Sequence, residues 1–247
     1  MKFRWKLNGK NLSMNVINPE FKIIGHRGAA GEFFENSLAG FKHAVSINVD
    51  AIELDIREHN GELWVIHDHH LNRLCGLNGV FEDQQDVSAL TLGNGEPIPT
   101  LRQILDLTWG RIPLNIEIKA VQTLTLLLDM LSEYPALPRN PGLPWILISS
   151  FDHRAILELR QIGCRWPLAP ISSGIPIFID PLIEAIQPFS WHFDDEYIDF
   201  ELLNTLNQQN ILCLVYTVNS IERARVLQRA GVAGVFTDYP SKMLQTT

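Results

Sequence analysis

Acidic side chains alternate with apolar ones in two short segments of this sequence. Glu53 and Asp55 do so in the run IELDI, and Glu117 does so in NIEIK, where Lys119 follows two residues later. Alternate side chains of a β-strand point to one face, so each segment would present its polar residues together. Three converging carboxylates are hard oxygen ligands, which suit Mg²⁺ or Ca²⁺ better than Zn²⁺. The pattern predicts a site for one divalent cation.

Two histidines and an arginine lie at the ends of further apolar runs. His26 and Arg27 occur in GHRG, and His67 occurs in VIHD. Imidazoles exchange protons near neutral pH, so a pair of them suits general acid and base catalysis. Arg27 and Lys119 can donate charge-assisted hydrogen bonds to an anionic substrate. Together with a cation, these residue types favour chemistry on a phosphate ester.

The face that His67 occupies depends on how the chain reverses direction before it. A two-residue turn at Asn60-Gly61 would pair Leu54 with His67 and place the imidazole opposite Glu53. A three-residue loop with a bulge would pair Glu53 with His67 and place both on one face. Residue propensities do not choose between these two registers.

Short apolar runs alternate with amphipathic segments from residue 22 onward, which indicates parallel strands joined by helices. Nine strands are predicted, at 22–25, 51–55, 63–66, 114–118, 145–149, 168–171, 189–192, 212–216 and 234–237. The third follows the second too closely for a parallel crossover, so we expect it to be antiparallel. The other eight predict an α/β fold, a TIM (β/α)8 barrel, with the polar residues above at its C-terminal rim.

Seven helical patterns lie between these strands, at 37–46, 101–107, 123–134, 152–162, 181–186, 201–209 and 221–230. Residues 69–99 lack strong periodicity, and we expect them to form a small insertion over the active-site face. Apolar residues alternate about Asn8-Gly9, which predicts an N-terminal hairpin over residues 1–20. Because no low-complexity linker divides the chain, residues 1–247 are predicted to form a single barrel domain.

Composition narrows the class of protein. The net charge of −8 and the pI near 5.5 argue against a nucleic-acid partner, because a basic surface that could bind phosphates is missing. No apolar stretch approaches the roughly 20 residues of a membrane-spanning helix. The cysteines are odd in number and widely spaced, which indicates reduced thiols. They are Cys75, Cys164 and Cys213. We therefore expect a soluble cytoplasmic protein, a monomer or homodimer with a small-molecule substrate and without stable membrane insertion.

Ten short motifs occur in a fixed order over roughly residues 22 to 240. They are GHRG, FENSLAGF, IELDI, VIHD, NRL, IPTL, NIEIK, SSF, VYTVN and FTDYP. In this order the sequence resembles the glycerophosphodiester phosphodiesterase family, and it is most similar to the small cytoplasmic bacterial members. The resemblance implies a TIM barrel with a small inserted segment, one divalent cation and two catalytic histidines.

Position by position, the resemblance implies a role for each candidate residue. It implies His26 and His67 as catalytic residues, Arg27 and Lys119 as phosphate contacts, and Glu53, Asp55 and Glu117 as ligands of Mg²⁺ or Ca²⁺. The sequence departs from the family pattern at Phe34, where a proline is usual. It departs again at Tyr216, where many members carry tryptophan.

The activity implied is metal-dependent hydrolysis of a glycerophosphodiester to sn-glycerol 3-phosphate and an alcohol. Trp191 and His192, which end a strand, and Tyr216 are candidates to line the alcohol pocket, although Trp191 is equally expected to pack in the core. Which histidine is the base stays open, as does the nucleophile, water or a neighbouring glycerol hydroxyl.

Three alternatives also stay open. A lysophospholipase D-like enzyme would need an exposed apolar rim. A barrel could bind metal and phosphate without turnover. The carboxylates could simply form salt bridges with Arg27 and Lys119.

Overall fold

Nine strands form one closed sheet in the computed structural model, which describes residues 20–245 except 139 and 141. The strands are β1 (Lys22–Gly25), β2 (Ala51–His59), β3 (Glu62–Val65), β4 (Leu114–Ile118), β5 (Ile146–Ser150), β6 (Leu168–Ser172), β7 (Ser190–Asp194), β8 (Leu212–Tyr216) and β9 (Gly234–Thr237). Their order is β1-β9-β8-β7-β6-β5-β4-β2-β3, and β1 also pairs with β2 to close the barrel. All pairs except β2–β3 are parallel, so the predicted TIM barrel is confirmed. The hairpin predicted about Asn8-Gly9 lies outside the described residues.

Helices cover the outside of the barrel. They are α1 (Leu38–Ser46), α2 (Asn72–Cys75), α3 (Leu101–Thr108), α4 (Leu124–Ser132), α5 (His153–Gln161), α6 (Ile179–Ile186), α7 (Phe200–Gln208), α8 (Ile221–Ala230) and α9 (Pro240–Leu244). Several of these helices have a side-chain N-cap. Ser37 and Asp152 accept hydrogen bonds from backbone N–H groups, and Thr100 forms a capping box with Gln103. Within the described ranges, no helix has the length and apolar character needed to span a membrane.

Strand alternation separates an apolar layer from the polar interior. On β2 and β4, Leu54, Ile56 and Ile116 are fully buried in the apolar cluster that includes residues of α1, α3 and α4. Glu53 and Glu117 alternate with these residues and therefore face the barrel interior. Burying each large apolar side chain stabilises the fold by about 1.5–3 kcal/mol. This outer layer offsets the cost of holding carboxylates inside the barrel.

The β2–β3 hairpin adopts the two-residue register. His59 pairs with Glu62 across the turn, and Asn60 and Gly61 have φ values of 52° and 77°. Two successive positive φ angles are those of a type I′ turn. The inference that this register would turn His67 away from the interior was wrong, because β3 ends at Val65 and strand alternation no longer governs His67.

Residues 69–99 pack around a small apolar cluster of their own, beside the barrel. The cluster contains Leu71, Leu74, Phe81, Val87, Leu92 and Ile98. From α2 in this segment, Arg73 donates hydrogen bonds to Glu35 and Asp68 near the barrel mouth. The residues that line the central cavity come from outside the segment. The covering role of residues 69–99 and the single-domain organisation stay predictions.

Candidate active site

A cavity of about 590 Å³ opens at the C-terminal ends of the strands. It is lined by His26, Arg27, Glu53, His67, Asn115, Glu117, Lys119, Phe151, Ile171, His192, Asp194, Asp195, Glu196, Tyr216, Thr217 and Phe236. Most of the candidate residues identified from the sequence are therefore brought together. Asp55 is almost fully buried beside the cavity, and Trp191 lies outside it.

The three candidate ligand residues converge inside the barrel. Ligand oxygens of Glu53, Asp55 and Glu117 all lie within 4.8 Å of one another. The parallel register explains this, because Asp55 is the direct neighbour of Glu117 across β2 and β4. All three are buried. Burial, and then the adjacent carboxylates, raise the pKa of Glu53.

Two basic side chains balance part of this charge. Lys119 Nζ lies 2.9 Å from Asp55 Oδ1 and also contacts Glu117, while Arg27 Nε lies 3.2 Å from Asp55 Oδ2. Burial alone would raise the pKa of Asp55, but Lys119 and then Arg27 outweigh it and lower that pKa. The salt bridges anticipated as an alternative are therefore present. When all three carboxylates are ionised, the two cationic groups leave one negative charge in excess.

The excess charge coincides with unsatisfied polar atoms. Glu53 Oε2 accepts the backbone N–H of Arg27 at 2.9 Å, whereas Glu53 Oε1 is buried and has no partner among the described residues. The same holds for both amide atoms of Asn115, which pairs with Glu53 across the sheet. A buried polar atom without a partner costs about 1–3 kcal/mol. The donor set therefore fits a hydrated divalent cation, whose ligands are carboxylates and water.

Both candidate histidines are held by a carboxylate. His26 Nδ1 lies 2.7 Å from Oδ1 of Asp238, and His67 Nδ1 lies 2.6 Å from Oδ1 of Asp68. Burial opposes ionisation of each aspartate, but hydrogen bonds outweigh it and lower both pKa values, that of Asp68 to about 2. An ionised carboxylate only accepts, so each Nδ1 carries the proton and each Nε2 stays available.

The two imidazoles face different surroundings. His26 Nε2 lies 3.9 Å from Glu53 Oε2. Burial lowers the pKa of His67; attraction to Asp55 opposes this shift, and repulsion from Lys119 and Arg27 adds to it. His67 is therefore neutral at pH 7.

The FEN segment orients the phosphate-binding candidates although the usual proline is missing. Arg27 Nη1 donates to Glu35 at 2.7 Å, and Arg73 holds the other oxygen of Glu35. Asn36 Nδ2 donates to Asp55 at 2.9 Å. Arg27 has a positive φ of 48°, which this network supports. The proline is thus not needed to place these side chains.

The three candidate pocket residues separate into two groups. His192 and Tyr216 line the cavity, and Tyr216 donates from its hydroxyl to the Ser172 carbonyl at 3.0 Å. Trp191 packs in the core beside Phe193. Of the two roles expected for it, pocket lining and core packing, the structure shows core packing. Burial lowers the pKa of His192 to about 3.

Sequence reasoning did not single out some residues of the site. Asp238, which holds His26, directly follows β9, so the strand-end position that indicated the other candidates would also have indicated this one. Phe151 follows β5 and lies under Lys119, with the ammonium 5.8 Å from the ring centre. Phe151 is the last residue of the SSF motif, which marked the resemblance to the family but assigned no role to this side chain.

A parallel barrel whose mouth combines an acidic cluster, basic side chains and imidazoles is suited to hydrolysis of anionic esters. Residues 26–242 match the glycerophosphoryl diester phosphodiesterase family, and the chain belongs to that family. The predicted family and enzyme class, a glycerophosphodiester phosphodiesterase, are thereby confirmed.

Individual relatives extend over most of the chain. A glycerophosphodiester phosphodiesterase of Caldanaerobacter subterraneus is 27% identical over 241 residues, covering 90% of this chain and 96% of its own. Lysophospholipase D GDPD1 of Homo sapiens is 28% identical over 268 residues, covering 90% and 84%. The structure of an Oleispira antarctica phosphodiesterase in complex with the product sn-glycerol-3-phosphate matches with a TM-score of 0.83. That structure is 22% identical and covers 91% of this chain and 96% of its own, and it supports the fold.

Proposed function

We propose that this enzyme hydrolyses glycerophosphodiesters to sn-glycerol 3-phosphate and an alcohol, with one Mg²⁺ or Ca²⁺ ion. The observation that carries the proposal is the buried cluster of Glu53, Asp55 and Glu117 beside two carboxylate-held imidazoles. The name of the Caldanaerobacter relative and the product bound by the Oleispira enzyme support the same substrate class.

Glu53, Asp55 and Glu117 would hold the cation. When bound, it would supply positive charge to the phosphoryl oxygens and lower the barrier to attack. The Oε1 atom of Glu53, which is buried without a partner in the described part of the chain, supports this assignment. Arg27 and Lys119 line the same cavity and would donate charge-assisted hydrogen bonds to the non-bridging oxygens.

The two imidazoles would carry out the proton transfers. Because His67 is neutral at pH 7, its Nε2 suits the general base, which takes the proton of the attacking oxygen as the new P–O bond forms. His26 in its imidazolium form, with Nδ1 held by Asp238, would give the proton of Nε2 to the leaving alkoxide as the old P–O bond breaks, and would thereby become neutral. The attacking oxygen belongs to water or to the neighbouring glycerol hydroxyl; the second route forms a cyclic phosphate, which water then opens.

The test measures release of sn-glycerol 3-phosphate from glycerophosphocholine with Mg²⁺, Ca²⁺ or Mn²⁺, and again after EDTA. We expect release that EDTA abolishes and added cation restores. Conversion of lysophosphatidylcholine to lysophosphatidic acid and choline, without cleavage of glycerophosphocholine, would favour the lysophospholipase D-like alternative. No release from either substrate would favour a non-catalytic barrel.

Two further expectations accompany this function. The described residues include all three cysteines, none of which forms a disulfide, and this supports a reducing compartment such as the cytoplasm. Whether the enzyme is a monomer or a homodimer would be measured by light scattering coupled to size-exclusion chromatography.

A further inference from the structure

The loop between β6 and α6 presents large apolar side chains to solvent. Ile175, Ile177 and Phe178, which we call the apolar crest, are 43%, 91% and 74% exposed. Contiguous apolar side chains exposed to this degree usually mark a surface that contacts a partner or a lipid interface. Ile177 and Phe178 are the most exposed large apolar residues in the described part of the chain.

The apolar crest belongs to the end of the barrel at which the cavity opens. Ile171 of β6 lines the cavity, and Ser172, the next residue, accepts the hydroxyl of Tyr216 through its carbonyl oxygen. The loop that carries the crest therefore leaves the barrel at the cavity wall. Any surface that covers the crest lies beside the entrance to the active site.

The segment after β7 enlarges this apolar surface. Ile175 and Ile177 share a shallow groove with Asp199 and Glu201, which flank Phe200. Phe200 and the nearby Tyr197 are also exposed, at 46% and 44%. Two neighbouring loops thus contribute apolar side chains on the same side of the cavity mouth.

Acidic residues border the crest and determine the kind of surface that fits. Asp199 and Glu201 line the groove with Ile175 and Ile177, and Asp180 lies in the first turn of α6. Asp194, Asp195 and Glu196 line the neighbouring cavity. Among the ion pairs of the described residues, one neutralises a member of this acidic group, namely the pair between Asp195 and Arg223. An anionic surface would be repelled by this border. A zwitterionic lipid surface offers apolar depth for the crest and outward ammonium groups for the acidic residues.

We propose that the apolar crest docks this enzyme on a zwitterionic lipid surface, with Ile177 and Phe178 inserted between the head groups. The mode of binding is peripheral: burial of apolar side chains at the interface supplies affinity, and the acidic border supplies selectivity. Docking in this orientation turns the cavity mouth toward the lipid head groups. The proposal concerns binding and does not depend on turnover.

The test is co-flotation of the full chain with phosphatidylcholine vesicles. The wild type should bind. The double variant Ile177→Ser/Phe178→Ser should have an affinity for the vesicles that is lower by about tenfold or more, since both apolar anchors are lost. Its melting temperature should stay at the wild-type value because both side chains are exposed. Vesicles supplemented with phosphatidylglycerol should bind the wild type less well at low salt.

Ile162→Ser is the matched control. Ile162 is 55% exposed and follows α5, so it lies at the opposite end of the barrel, and its replacement should leave vesicle binding unchanged. Absence of wild-type binding, equal binding by the double variant, or stronger binding to anionic vesicles would overturn the proposal. So would a wild-type dimer that the double variant dissociates and that does not bind vesicles, since a second copy would then cover the crest.

Discussion

The Nδ1 atom of His26 lies 2.7 Å from Oδ1 of Asp238, so residues that follow the first and the last strand form one hydrogen-bonded pair. Asn219 donates to the other oxygen of Asp238 at 2.7 Å. The aspartate is therefore fixed from two sides, and it fixes the imidazole in turn. In the proposed mechanism, Asp238 is a positioning residue that would act on substrate through His26.

Replacing Asp238 with Asn should lower kcat by about 10- to 100-fold, because an amide no longer enforces the proton on His26 Nδ1. The pH profile of kcat should change as well, which a purely structural role would not cause. The control is Asp83→Asn, a change at an exposed aspartate of the insertion. An unchanged pH profile with a fall in melting temperature would make Asp238 structural.

His67→Ala should reduce kcat by about 10²- to 10⁴-fold, the usual contribution of a general base. Its side chain is 32% exposed, so the melting temperature should change little. In the wild type, kcat/KM should decrease toward acidic pH with a midpoint below 6.5, the ordinary pKa of histidine, because the pKa of His67 is lowered. His70→Ala, at an exposed position, is the control. Retained activity with a large loss of stability would contradict the catalytic role.

Glu117→Gln should weaken binding of Mg²⁺ or Ca²⁺ by about tenfold or more, since one of three ligand charges is removed. Isothermal titration calorimetry on chelator-treated protein measures this. Glu158→Gln, which removes an exposed glutamate on α5, should bind as the wild type does. If the Glu117 variant kept the wild-type affinity, Glu117 would leave the ligand set.

Lys119→Met should destabilise the cation-free protein by about 3–5 kcal/mol, because Asp55 and Glu117 lose a buried charged partner. Thermal unfolding in EDTA measures the loss. Saturating Mg²⁺ should recover much of it, since a cation then compensates the same carboxylates. Lys42→Met, at an exposed position of α1, should show neither effect. A loss that Mg²⁺ leaves unchanged would argue against a shared cation site.

His192 should make the protein sensitive to acid. Burial lowers its pKa from 6.5 to about 3, so below pH 6.5 the unfolded chain binds a proton that the folded chain does not. Between pH 7.5 and 5 this lowers the free energy of unfolding by about 2 kcal/mol. The free energy of unfolding of His192→Gln, measured with urea, should decrease by about 2 kcal/mol less than that of the wild type over this pH range. His70→Gln should keep the wild-type dependence, and equal slopes in all three proteins would refute the argument.

Much of the fold was readable from the sequence because local signals and topology agreed. All nine strands were predicted within a few residues, and β2 runs on to His59 because it pairs with β3 there. The helices α2 and α9 were missed, since four and five residues are too few to show a helical period.

The site was predictable where one strand determined it and less so where distant segments met. Alternation placed Glu53 and Glu117 inside the barrel. The side of His67 depended on where β3 ends, which alternation does not report. The exposure of Ile177 was also hidden, because an apolar residue in a loop has the same sequence signature whether it is covered or not.

Pairing of β1 with β9 makes the order of synthesis matter for this enzyme. Until the final segment has been added, β1 lacks its β9 neighbour, and His26 lacks the carboxylate that fixes its tautomer. A nascent chain or proteolytic fragment that ends before Gly234 lacks both the closing strand and Asp238. Turnover would therefore begin only once the barrel has closed. The recovery of activity during refolding would then measure the rate of barrel closure.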